Sequence, residues 1–110
     1  MAGYKLGRIT SDIQLAASQL LRELKDPRIS SLLSIIKVDV SSDLSYATFY
    51  VSAIEGYDKT LESVKGLKSA SGYLRRELGH RLHLRKVPEL RFVADDSIVK
   101  SADISRIIHS

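Results

Sequence analysis

The chain has 110 residues, 44% of them hydrophobic and 27% charged, with no cysteine and a net charge of +4. That length holds one hydrophobic core and not two, and the mix of apolar and charged residues excludes a disordered chain. Without cysteine there are no disulfides, thiolate zinc sites or cysteine nucleophile, and no apolar run approaches the roughly 18–20 residues that span a bilayer. A single soluble cytoplasmic domain covering residues 1–110 is expected, with no export signal and no membrane partner.

Taken in chain order, the first periodic segment runs from about Arg8 to Leu24. Ile9, Ile13, Ala16, Ala17, Leu20, Leu21 and Leu24 recur every three or four residues and predict a helix with one apolar stripe, ended by Asp26-Pro27. "SIIKVDVS" then alternates, with Ile36, Val38 and Val40 on one side and Lys37 and Asp39 on the other. After the turn sequence "SSDL", "SYATFYVS" alternates through Ala47, Phe49 and Val51, so the two runs predict an antiparallel hairpin. Tyr46, Thr48 and Tyr50 share the opposite face of the second strand, where tyrosines suit a strand before they suit a base-stacking surface.

Beyond Gly56, Tyr57, Leu61, Val64 and Leu67 predict a second helix, and Leu74, Leu78 and Leu82 a third, stopped by Val87-Pro88. "ELRFVAD" alternates Leu90, Phe92 and Ala94 as a third strand that starts at a proline, and Asp103 caps a short last helix with Ile104, Ile107 and Ile108. The expected fold is an α+β domain of two layers, with the three-stranded sheet covered by helices on one face.

Charge is concentrated in one quarter of the sequence. Lys65, Lys68, Arg75, Arg76, Arg81, Arg85, Lys86 and Arg91 face only Glu77 and Glu89 between residues 65 and 91, a balance of +6, and the remaining residues carry −2. Such a concentration points to a polyanion, nucleic acid above all.

The same stretch contains "SASG" in the middle of a helical repeat. A straight helix from Asp58 to Arg85 would extend roughly 42 Å, more than the roughly 34 Å width expected of a domain this size, so a bend is predicted there. In a continuous helix Ser71 would occupy the middle of the apolar stripe, and Ala70 and Gly72 leave room for another backbone. Gly72 lowers helix stability by about 1 kcal/mol against alanine. Two readings stay open on these residues: a packing bend with no ligand, or a helix start that presents its N–H groups to a phosphate.

With "DPRI" after the first helix, "VDVSSDLSYATFYVS" across the hairpin, "SASGYLRRELG" at the bend and "LRKVPELRFVADDSI" beyond it, essentially the whole chain resembles the ribosome-binding factor A family. The resemblance implies a KH-like fold of type II topology, in the order α-β-β-α-kink-α-β. It also implies an Ala-x-Gly kink at Ala70, Ser71 and Gly72 in place of the GxxG loop of ordinary KH domains. The implied function is binding to the immature small ribosomal subunit and its RNA, assisting late maturation and processing of that RNA, with cold adaptation as a family association. Ser101 stands where the family often has glycine, and the sequence stops at Ser110 where some members continue into a longer basic tail.

A helix that stays nearly continuous cannot wrap a single strand as a flexible glycine loop does. Contacts to structured RNA are therefore expected from Lys65, Lys68, Ala70, Ser71, Gly72, Arg75, Arg76, His80, Arg81, Arg85 and Lys86. A generic single-strand-binding KH module is the alternative, weakened by the missing GxxG, and a protein-binding scaffold would leave the basic concentration unused. His80 and His83 are spaced for a shared metal but lack further ligands, and Asp95-Asp96 suits a turn, so no metal, cofactor or catalytic residue is expected. A monomer that is not an enzyme is the expectation.

Overall fold

The computed structural model describes residues 2–95. Its elements are α1 (Ala2–Glu23), β1 (Leu33–Val40), β2 (Tyr46–Ala53), α2 (Tyr57–Ser69), α3 (Ser71–Leu82) and β3 (Glu89–Ala94). Asp96 and the short helix expected after Asp103 lie outside the described residues. Helix α1 begins at Ala2, before the apolar stripe read from the sequence starts. None of the described helices is long and apolar enough to cross a membrane.

β2 is the central strand. It pairs antiparallel with β1, and parallel with β3, which places Phe49 opposite Phe92. A parallel neighbour needs a long crossover, and α2 and α3 supply it. Alternation sends Ala47, Phe49, Val51, Leu90 and Phe92 into the core, where the two phenylalanine rings stack at 5.4 Å. Ile13, Ala16, Ala17 and Leu20 of α1, with Leu67, Leu74 and Leu78, close the core from the helical side.

Two expected faces are corrected. Ile36 does not join Val38 and Val40: the register slips between Ile35 and Lys37, so Ile36 is an extra residue and points outward, 51% exposed. A bulge of this kind shifts the side-chain alternation by one, and Leu33 and Ile35 take the inward positions ahead of it. The buried face of α2 also differs. Tyr57 and Leu61 are exposed, whereas Thr60, Ser63, Val64, Gly66 and Leu67 are buried.

The reason is hydrogen bonding. The Thr60 hydroxyl accepts the Ala53 N–H at 2.9 Å and donates to the Gly56 carbonyl, while the Ser63 hydroxyl accepts the Ser30 N–H at 3.0 Å and donates to the Lys59 carbonyl. Both hydroxyls satisfy backbone groups that would otherwise be buried without a partner, which turns α2 toward its polar side. The hairpin loop is likewise one residue longer than "SSDL", running from Ser41 to Ser45 with Leu44 in the left-handed region at φ 61°.

Thr60→Val keeps the shape of the side chain and strands the Ala53 N–H. It should lower unfolding stability by about 1–3 kcal/mol, with Thr60→Ser losing less. Urea denaturation checks this, and a valine variant as stable as the parent would mean that the hydroxyl does not orient α2.

Candidate nucleic-acid interface

The long helix breaks at a single residue. Ala70 leaves the helical region at φ −92° and ψ 4°, and its N–H is shared between the carbonyls of Gly66 and Leu67, both at 3.1 Å. The next turn restarts at once, with the Leu74 N–H donating to the Ala70 carbonyl at 2.9 Å. Ala70 packs against the core between Leu67 and Leu74, with Ser71 half-buried beside it, so the apolar stripe continues through the break. Available length does not force the bend, since the longest dimension is 53 Å. What changes is the packing partner: α2 lies on β2 and β3, and α3 lies on α1.

The helical glycines sort by what a side chain would meet. At Gly66 a Cβ would fall 2.6 Å from the Ile29 Cγ1, and at Gly79 it would fall 2.8 Å from the Val87 Cγ2, so both positions are held small by close approach. At Gly72 a Cβ would meet nothing within 4 Å. No internal packing asks for glycine there.

Gly72 instead lies at the edge of a hollow of about 550 Å³ lined by Gly72, Arg75, Arg76, Arg85, Lys86 and Val87. Two segments build it. α3 supplies the first arginines, and the chain then reverses at His83, in the left-handed region at φ 51°, where the Leu84 N–H reaches back to the Gly79 carbonyl at 3.2 Å. The returning loop lies on α3 because Val87 fits against Gly79 and the Arg75 guanidinium donates to the Val87 carbonyl at 2.9 and 3.2 Å. Its far side is tied to the hairpin loop, where the Lys86 ammonium donates to the Asp43 carbonyl and the Ser45 hydroxyl at 3.2 and 3.3 Å. Hydrogen bonds from Ser45 and then Ser41, with Lys86 nearby, hold the Asp43 carboxyl down at about 2, so it stays charged and keeps that loop in shape.

The structure thus gathers five of the expected residues: Gly72, Arg75, Arg76, Arg85 and Lys86. The others lie elsewhere. Lys65 and Lys68 are exposed on α2 and His80 on α3, and Ala70 and Ser71 are half-buried, none of them lining the hollow. Arg81 is turned toward α1, 2.8 Å from the Glu23 carboxylate and 4.0 Å from Glu77, which neutralises much of its charge. Arg76 and Arg85 are exposed, and neither has an ion-pair or side-chain hydrogen-bond partner among the described residues. Around His80 and His83, no group of three or more potential metal ligands exists among the described residues. Sequence reasoning missed Val87 as a wall of the site. The available signal was Gly79, a helix-interior glycine whose cost implies a close neighbour.

A mixed three-stranded sheet backed by helices, two of them joined through a one-residue break, defines a small KH-like α+β domain. The chain belongs to the ribosome-binding factor A family, whose model matches residues 5–108. A ribosome-binding factor A from Clostridium tetani is 44% identical over 109 residues, spanning 98% of this chain and 90% of that protein. The crystal structure of ribosome-binding factor A from Thermus thermophilus superposes with a TM-score of 0.72 at 26% identity, covering 80% of this chain and 92% of that one. A homology model of the Thermus thermophilus factor, fitted into a cryo-electron-microscopy map of a 30S–RbfA complex, gives a TM-score of 0.69 at 26% identity, covering 81% and 93%.

Close contact between positions 79 and 87 should appear as coupling. Gly79→Ala gains about 1 kcal/mol of helix propensity but drives a methyl into a stiff valine, so it should destabilise the parent. In a Val87→Ala background the same change should stabilise. Thermal melts of the four proteins measure the cycle, and additive effects would mean that the loop does not rest on Gly79.

Proposed function

We propose that this chain binds the immature small ribosomal subunit through its ribosomal RNA and assists late processing and folding of that RNA. It acts by binding and not by catalysis, as a cytoplasmic monomer, and matters most in the cold, where misfolded RNA escapes slowly. The observation that carries this reading is the hollow at Gly72, where two uncommitted guanidiniums and a bare backbone meet. Guanidiniums match phosphate oxygens in a fixed fork. The open space over Gly72 lets a phosphate approach the first N–H groups of α3, which favour an anion.

Family membership and the fitting of a similar protein into a 30S–RbfA complex support the same partner. The single-residue break weighs against a generic single-strand module. With α3 restarting one residue after α2 ends, no loop is long enough to clamp a strand. Structured RNA with a rigid phosphate array suits a rigid cationic hollow better.

Sucrose-gradient fractionation of cell extract tests the proposal. The chain should co-migrate with free small subunits and not with translating ribosomes, and association should weaken steeply as salt rises. An Arg76→Ala, Arg85→Ala double variant should melt like the parent yet leave the small-subunit fractions. If the double variant stays with them, the hollow is not the RNA contact.

A further inference from the structure

The outer face of the sheet is turned away from the helices and carries Tyr46 and Tyr50 on β2. Read along one strand, they are ordinary strand formers. Across the sheet they are not alone. The parallel register sets Tyr46 opposite Glu89 and Thr48 opposite Arg91, so Arg91 is the diagonal neighbour of Tyr46. Its guanidinium carbon lies 3.8 Å from the centroid of the Tyr46 ring, a stacking distance. Both groups remain open to solvent, Tyr46 being 40% exposed and the Arg91 side chain 55%. The Lys37 ammonium stands 5.6 Å from the ring of Tyr50, a looser arrangement on a half-buried tyrosine.

An exposed guanidinium–tyrosine stack adds little to a fold, but it presents two flat polarizable planes. The exposed Glu89 carboxylate lies 3.8 Å from the Arg91 Nε, which cancels the local charge and makes this a poor place for a phosphate. A base has the opposite requirements: a flat face to stack and polar edges that a carboxylate can accept from.

Location supports the same ligand. Val87 of the basic hollow and Arg91 are four residues apart, at most about 14 Å. Lys86 of the hollow also bonds Ser45, the residue before Tyr46, and the Ser45 carbonyl accepts the Glu89 N–H at 2.8 Å. A strand leaving the hollow over this rim arrives at the Tyr46–Arg91 pair.

We propose that Tyr46 and Arg91 form a stacking subsite for one unpaired RNA base, next to the phosphate-binding hollow. The proposal rests on the RNA-binding reading above and deepens it: the hollow holds the backbone of a structured element, and the sheet face takes a base that leaves it. Unpaired bases are recognised by aromatic rings and guanidinium planes in this way.

The test compares two RNA probes by fluorescence anisotropy: a blunt-ended two-strand duplex, and the same duplex carrying an unpaired adenine extension. Tyr46→Ala should weaken binding of the extended probe about tenfold, the scale of one stacked base. It should leave the blunt probe unchanged and keep the salt dependence of both. Tyr46→Phe, which retains the ring, should bind like the parent. A 2-aminopurine in the extension should be quenched by the wild-type protein, a readout that needs no variant. No quenching, or an alanine variant that binds both probes as the parent does or weakens both equally, would overturn the subsite. Failure of the hollow reads out separately, as unchanged binding of both probes by the Arg76→Ala, Arg85→Ala variant.

Discussion

Because α2 is committed to the sheet and α3 to α1, the chain cannot pass Ala70 as a straight rod. The crossover from β2 to its parallel neighbour β3 must first cover the sheet, where Val64 and Leu67 are buried, and then close the far side of the core with Leu74 and Leu78. A one-residue departure from helical geometry accomplishes both. Ala70 is small enough to pack at the junction, and the shared hydrogen bond of its N–H keeps the backbone satisfied there. The break also leaves the first turn of α3 uncovered on its outer side. The hollow is a consequence of that geometry: α3 forms one wall, and the loop returning to β3 forms the other.

Much of this was legible in the sequence where burial follows periodicity. A sheet covered on one face alternates, so Ala47, Phe49 and Val51, and Leu90 and Phe92, declare themselves. Ile36 does not, because it is itself the extra residue, a position fixed by pairing with β2 and not by anything local. Thr60 and Ser63 are invisible to an apolar count for a similar reason. Their burial is compensated by the Ala53 and Ser30 N–H groups, supplied by other parts of the chain. Ser71 is expected in the middle of the stripe only in a continuous helix; with the break at Ala70, both residues are half-buried and Ala70 packs against the core between Leu67 and Leu74.

The candidate site was legible as a concentration of charge but not as a set of available charges. Arg81 and Arg76 look equivalent along the sequence, yet Arg81 lies beside Glu23, 58 residues away, and Arg76 points into the hollow. Arg75 and Lys86 do two things at once, lining the hollow while holding its loop through the Val87 and Asp43 carbonyls. Removing them would confuse stability with binding. Arg76 and Arg85 are the positions where the two separate.

Gly72 is the candidate-site residue that internal packing explains least. Glycine lowers helix stability, it makes no close internal approach, and its φ is not positive, so nothing among the described residues explains it. On the proposed RNA-binding function, an external phosphate needs the space. The most direct measurement pairs the thermal melt of Gly72→Ala with its affinity for immature small subunits. The expected result is a protein more stable by about 1 kcal/mol that binds those subunits more weakly than the parent. A Gly72→Ala protein that gains stability and binds immature subunits as tightly as before would contradict it.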